Sequence, residues 1–195
     1  MKKLFKTTVI LTALAISLVA ATKTLSQGVH AATESYVVEK TGQMPVMKGA
    51  SSTAINKQIK TFYNQEYKAF KKDYGNSKHA SFNFGYKVLT NNKKYFSFKV
   101  TSTVTAADSS STTRYYTVNK SSKKQVTMKD LLKQKGFKTK VNKAIKKQAK
   151  GTEFTSINAN TQFYMNKNNQ LVVSFDEGTI APYSAGTLNY TVNIK

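Results

Sequence analysis

Few residues of this chain could do chemistry. Past residue 31 there is one histidine, His79, and a single adjacent pair of acids, Asp176 and Glu177. A hydrolase needs a nucleophile with a positioned base, paired carboxylates, or a metal with an open coordination position. His79 stands just ahead of an alternating stretch that begins at Phe82, and a lone loop histidine reads as a solvated side chain. Asp176 and Glu177 follow an apolar run ending at Phe175, at a loop rim where binding residues gather. Adjacent side chains at a strand end point apart, so the two do not share a proton. They read as solvated carboxylates that relieve positive self-repulsion, or as a grip on a cationic partner. With no cysteine and one histidine, a thiolate or imidazole metal cluster is excluded, and no Asp-x-Asp-x-Asp calcium run occurs. The expectation is no catalytic residue, no metal and no cofactor, and so no enzyme.

Charge is the stronger signal. The chain carries 31 basic and nine acidic residues, a formal +22. Four of the basic residues and none of the acids lie in residues 1–31, which leaves 27 against 9, or +18, for the remainder. Such a field attracts polyanions. Arg114 is the sole arginine, and arginine is the residue suited to bidentate phosphate recognition, so diffuse attraction is expected over shaped readout. The candidate polyanion-binding residues are Lys57, Lys60, Lys68, Lys71, Lys138, Lys143, Lys146 and Lys147. Aromatics interleave with lysine at Tyr86-Lys87 and Lys94-Tyr95-Phe96, as in single-strand nucleic-acid binders. Their strand spacing assigns most of these rings to a core instead.

The amino terminus explains the compartment. Lys2, Lys3 and Lys6 precede an apolar stretch from Val9 to Ala21, and Val29-His30-Ala31 ends on a small residue. That is the order of a cleavable secretory signal, predicted to be cut after Ala31. Its apolar core is shorter than the roughly 20 residues a membrane span needs. Residues 32–195 are then one secreted domain with no membrane span, and nucleic acid is not an expected partner. Without disulfides, an exported chain of this length must rely on a packed apolar core. The composition suits export by a Gram-positive cell into a wall of anionic polymers.

The elements that must position these residues follow from hydrophobic period. Ile55, Ile59, Phe62, Tyr63 and Phe70 predict an amphipathic helix over 54–72, capped by Ser51 or Ser52 and ended by Tyr74-Gly75-Asn76. A short strand is expected at Tyr36–Val38, ending near Pro45. The period then falls to two: Phe82 to Val88 and Phe96 to Val104 predict a hairpin, and a polar break at Asp108–Ser111 precedes a strand over Thr113–Val118. Thr127, three residues before Asp130, caps a short helix. A second helix buries Phe137, Val141, Ala144, Ile145 and Ala149 and stops near Gly151. Strands at Phe163–Met165, Leu171–Phe175 and Leu188–Ile194 close the chain. The fold class is α+β: two helix-plus-antiparallel-meander halves, 36–112 and 113–195, packed as one compact domain.

The run Phe163-Tyr164-Met165-Asn166-Lys167-Asn168-Asn169-Gln170-Leu171-Val172-Val173-Ser174-Phe175, then Ile180-Ala181-Pro182-Tyr183-Ser184-Ala185-Gly186, resembles the family of the RsiV C-terminal domain. So does Tyr116–Asn119 leading to Val126-Thr127-Met128-Lys129-Asp130-Leu131-Leu132. The likeness covers residues 113–195 well and 36–107 loosely. It departs at Asp108–Thr113, where the family has Gly-Gly-Ala-His, and at Gly178-Thr179, where it has Tyr-Glu. The resemblance implies an extracytoplasmic α+β module of lysozyme-sensing anti-sigma factors, also found ahead of the catalytic domain in some polysaccharide deacetylases. No sigma-binding segment or deacetylase domain is read in this chain. The candidate partner-binding residues are Asp176 and Glu177, from their place at the loop rim, with Ile180, Ala181, Pro182 and Tyr183 of the Ile180–Gly186 loop as the specific surface. Together these readings predict a secreted, non-enzymatic module on the Gram-positive cell surface. It would be held by attraction to anionic, teichoic-type wall polymers or peptidoglycan. The alternative is a binder or inhibitor of a muralytic, lysozyme-like enzyme, against which charge argues, because animal lysozymes are usually cationic.

Overall fold

Apolar side chains three and four residues apart decide the first helix, α1 (Ser52–Tyr74), which buries Ile55, Ile59 and Phe62. Each such side chain taken out of water contributes about 1.5–3 kcal/mol. Lys57, Lys60, Lys68 and Lys71 remain exposed. This is a computed structural model, and it describes residues 35–75 and 77–194; the export-signal reading of residues 1–31 lies outside the described residues. Ser51 does not cap α1 with its side chain. It sits in the left-handed region at φ 64°, and its hydroxyl donates to Lys123 O at 2.9 Å. At the other end Gly75 N–H bonds back to Lys71 O, and Lys71 Nζ donates to Gly75 O at 2.9 Å.

Ahead of α1 the single expected strand is a hairpin, β1 (Val37–Thr41) with β2 (Met44–Lys48), and Pro45 lies inside β2 opposite Lys40. A two-stranded ladder has only edge strands, where a residue without an N–H is tolerated. Asn56 of α1 braces β2, accepting from Met47 N at 2.8 Å and donating to Met47 O at 2.9 Å.

Four strands in sequence order form the first large sheet, all antiparallel: β3 (Ser81–Asn91), β4 (Tyr95–Thr105), β5 (Ser109–Asn119) and β6 (Lys124–Val126). The polar break expected at Asp108–Ser111 is mostly strand, because Ser109, Ser110 and Ser111 pair with Thr105, Val104 and Thr103. Hydroxyls meet across this ladder, Thr103 with Ser111 at 3.0 Å and Thr101 with Thr113 at 3.2 Å. Cross-strand pairs of this kind stabilise a sheet without apolar side chains.

Two short helices follow, α2 (Met128–Leu132) and α3 (Phe137–Gln148). The Thr127 hydroxyl accepts from Asp130 N at 3.1 Å and donates to Asp130 Oδ2 at 2.7 Å, the capping arrangement expected from the spacing. Thr127→Ala should lower the free energy of unfolding by about 1 kcal/mol. A urea titration should show it as a lower midpoint at unchanged slope. The helix α3 buries Phe137, Val141 and Ile145 and keeps its lysines outside. A three-stranded antiparallel sheet completes the fold, with β8 (Leu171–Phe175) between β7 (Gln162–Met165) and β9 (Leu188–Val192).

The chain is thus α+β, with two apolar clusters in place of the single core its length suggests. One gathers Ile55, Ile59, Phe62, Phe96, Phe98 and Val100 beneath α1. The other gathers Val141, Ile145, Leu171, Val173, Phe175 and Val192 beneath α3. Both lie within one compact unit, Glu34–Lys195. The strand β4 serves both: Phe96, Phe98 and Val100 face the first cluster, and Tyr95 belongs to the second.

Candidate functional site

The outer edge of β5 organises the surface. Its partner β6 covers only Thr117–Asn119, so the backbone N–H groups of Thr113 and Tyr115 need other acceptors. Both are taken by side chains of the last sheet, one from β7 and one from the residue that follows β8. Asp176 Oδ2 accepts from Thr113 N at 3.2 Å, and Gln162 Oε1 accepts from Tyr115 N at 3.1 Å. Ser174 Oγ donates to the Tyr115 hydroxyl at 2.9 Å, and the Tyr115 ring stacks on Tyr164 with centroids 5.4 Å apart. Asp176 is therefore half-buried and structurally engaged, unlike the solvated carboxylate its loop position suggests.

Burial pushes the Asp176 carboxyl above its ordinary range, against the opposing pull of the Thr113 N–H and the Arg114 guanidinium. With a raised value in the fold, the native state binds more protons than the unfolded chain between the ordinary and the raised pKa. The stability it confers is full below the ordinary carboxylate value and is lost as pH rises through the raised one. Asp176→Asn keeps an acceptor for Thr113 N and removes this dependence. In urea titrations from about pH 3 to about pH 7, wild type should lose stability relative to the variant as pH rises.

The loop expected to contact a partner divides sharply. Ile180 is buried in the second cluster, only 8% exposed, so it supports the loop from beneath and is not a surface contact. Glu177 and Ala181 are partly covered and Pro182 is exposed. Tyr183 stands 72% exposed at the start of a 3-10 turn, Tyr183–Ala185. Its ring lies on Gly178, where a Cβ would come within 2.6 Å of the ring and where φ is +73°. Glycine at that position therefore leaves room for the ring. The loop is tied down by Glu153 N–H donating to Ile180 O at 2.8 Å.

The lysines expected to bind polyanions are not one surface. Lys143, Lys146 and Lys147 come together with Lys150, Thr139 and Asn142 along a shallow open depression of about 650 Å³. Lys150 was not among the expected residues; the spacing from Lys143 and Lys146 continues the helical phase to it, but it lies past the last helical residue. Lys138 is exposed and does not line that depression. Lys57 lines a separate cleft of about 530 Å³ between α1 and β5, with Gln58, Thr61, Gln65, Arg114 and Gln162. Lys60, Lys68 and Lys71 line neither. A third cleft, of about 390 Å³, lies where the 153–162 loop meets the end of β8, and Arg114 and Gln162 line it too. Of the interleaved aromatics, Tyr95 and Phe96 are buried and Tyr86 is 39% exposed. His79 is exposed, its N–H donating to Ser77 Oγ. Among the described residues no group of three or more histidine or acidic side chains could hold a metal ion. No helix among them is long and apolar enough to cross a membrane.

Residues 119–195 match the model of a family described as "Protein of unknown function (DUF3298)". The anti-sigma-V factor RsiV of Bacillus subtilis (strain 168) is 26% identical over 171 residues, covering 76% of this chain. The chain spans 60% of the length of that relative. A crystal structure of a DUF3298 family protein from Pseudomonas aeruginosa PAO1 matches with a TM-score of 0.53 at 11% identity, over 82% of this chain and 87% of that one, so the fold is shared. A family member from Bacteroides fragilis NCTC 9343 matches with a TM-score of 0.46 at 14% identity, over 74% of this chain and 67% of that one.

Proposed function

We propose that this chain, which is similar to the RsiV C-terminal-domain-like family, is an extracytoplasmic, non-enzymatic binding module, released by cleavage after Ala31. In this reading it is retained on a Gram-positive cell wall by attraction to anionic, teichoic-type polymers. The observation that carries the proposal is the stripe of Lys143, Lys146, Lys147 and Lys150, whose lining contains no carboxylate. From Lys133 to Lys150 the chain has lysines and no acid at all, so the stripe's field is not cancelled locally. A repeating phosphate polymer needs no shaped pocket, only a row of cations at helical spacing, and it releases counterions on binding. The test is sedimentation with isolated walls: retention should fall steeply with salt and disappear once the anionic polymers are stripped. Unchanged binding to stripped walls would refute the mechanism.

A second reading, recognition of a muralytic enzyme, is favoured by Tyr183. An exposed aromatic has few rotatable bonds to order on binding and is a common anchor at protein interfaces. That reading calls for a stoichiometric complex that survives salt. Calorimetric titration with lysozymes showing no heat at low or high ionic strength would remove it for those enzymes.

A further inference from the structure

Arg114 differs from every lysine of the α3 stripe in being held. Its guanidinium lies 5.1 Å from the centroid of the Phe62 ring, and Nη1 donates to Thr113 O at 3.2 Å. A guanidinium has five N–H donors in a rigid fork, and this bond occupies one. Arg114 is in no ion pair among the described residues. It is also the side chain, with Gln162, that lines two adjoining clefts.

The two clefts have different chemistry. On the α1 side the charged lining is Lys57 and Arg114, with amides and a hydroxyl from Gln58, Gln65 and Thr61. On the other side the lining has Glu153 and Asp176, no lysine, and a set of short hydroxyls and amides from the 155–162 loop. That loop is braced by its own bonds: Thr161 Oγ1 accepts from Asn158 N at 2.8 Å, and Asn142 Oδ1 accepts from Ile157 N at 2.9 Å. Two nearby carboxylates disfavour a dianion but leave room for one carboxylate on the guanidinium fork. The hydroxyl- and amide-lined cleft beside it suits a neutral body rich in hydroxyl and acetamido groups.

We propose that Arg114 and Gln162 mark a binding site for a carboxylate-bearing N-acyl amino sugar, with its acid on Arg114 and its hydroxyl and amide groups in the cleft formed by the 153–162 loop. The site is separate from the α3 stripe and does not depend on the retention mechanism given above. The probes are N-acetylmuramic acid and N-acetylglucosamine, which share the ring and acetamido group and differ in the 3-O-lactyl ether that carries the carboxylate. Amide chemical shifts of the whole chain should move at Arg114, Gln162 and the 153–162 loop with the acid sugar. The neutral sugar should bind about tenfold more weakly or less, because the charge-assisted bidentate contact is missing.

Arg114→Lys keeps the charge and loses the fork, and should weaken the acid sugar about tenfold. Lys57→Gln, at an exposed helix position, provides a second variant and should weaken it by a smaller factor. The variant lacking the four α3 lysines should bind the sugar as wild type does, which separates this site from wall retention. Equal affinity for the two sugars, equal displacement by inorganic phosphate, or no shift at about 10 mM acid sugar would each overturn the proposal.

Discussion

Replacing Lys143, Lys146, Lys147 and Lys150 together by glutamine is expected to weaken retention on anionic wall polymer about a thousandfold while leaving the fold intact. All four are exposed and line one depression. A lysine near an anionic surface is worth about 1 kcal/mol, so four contribute about 4 kcal/mol when they act on the same polymer. Glutamine is as good a helix former as lysine, so α3 should persist and the urea midpoint should not fall. The salt dependence gives an independent reading. With four fewer phosphate contacts, the slope of log affinity against log salt should shrink by about three to four. A variant of equal charge loss, with Lys57, Lys60, Lys68 and Lys71 of α1 changed to glutamine, should lose far less, since Lys60, Lys68 and Lys71 do not line the depression that the α3 lysines share and Lys57 lines a separate cleft. Equal losses from the two variants would mean that net charge, not the stripe, holds the protein.

Phe98→Ala is expected to be the most damaging single core change, at about 3–5 kcal/mol. Phe98 is fully buried, with ring centroids 5.7 Å from Phe96 and 5.2 Å from Tyr116. The cavity opens in the middle of β4, between α1 and the sheet, where strand neighbours on both sides prevent collapse. Domains of this kind are stable by only about 5–15 kcal/mol, so the loss is a large share of the whole. It should also reach α3, whose buried side chains belong to the other cluster. Tyr95, on the same strand, sits in the second cluster, and Asp176, Gln162 and Ser174 bond the edge of β5. Hydrogen exchange should therefore show the amides of α3 losing protection together with those of α1. Protection of α3 that survived Phe98→Ala would show that the two halves unfold independently.

Where period and punctuation were strong, the elements could be read directly. The 3.6-residue spacing of Ile55, Ile59 and Phe62 placed α1, the alternation from Phe82 to Val104 placed the β3–β4 hairpin, and Thr127 with Asp130 placed the start of α2. Local signals failed where a partner supplies what the sequence lacks. The hairpin at Val37–Lys48 was missed because Pro45 argues against a strand, and only a two-stranded ladder braced by Asn56 accommodates it. The serines at 109–111 read as a loop because their strand rests on hydroxyl pairs with threonines on β4.

The site divides the same way. The lysine content of α3 and the outward phase of Lys143, Lys146 and Lys147 were legible, since helix period alone decides which residues share a face. The burial of Ile180 was not, because an apolar residue in a loop looks like a contact until a core is found beneath it. Nor was Arg114: one arginine among thirty lysines carries no sequence signal. Its stacking on Phe62 of α1 and its place between two clefts arise from elements distant in the chain.

The amino-acid order by itself determined the composition of this protein's surface, the α+β class and the absence of any thiolate chemistry, because these depend on residue type and short-range period. Only the tertiary structure decided that Asp176 seals a strand edge, that Tyr183 stands clear on Gly178, and that Ser97 and Thr117 are buried, their hydroxyls 2.9 Å apart. Each of those outcomes turns on which surface lies against another, and burial between elements is a property that no local spacing encodes.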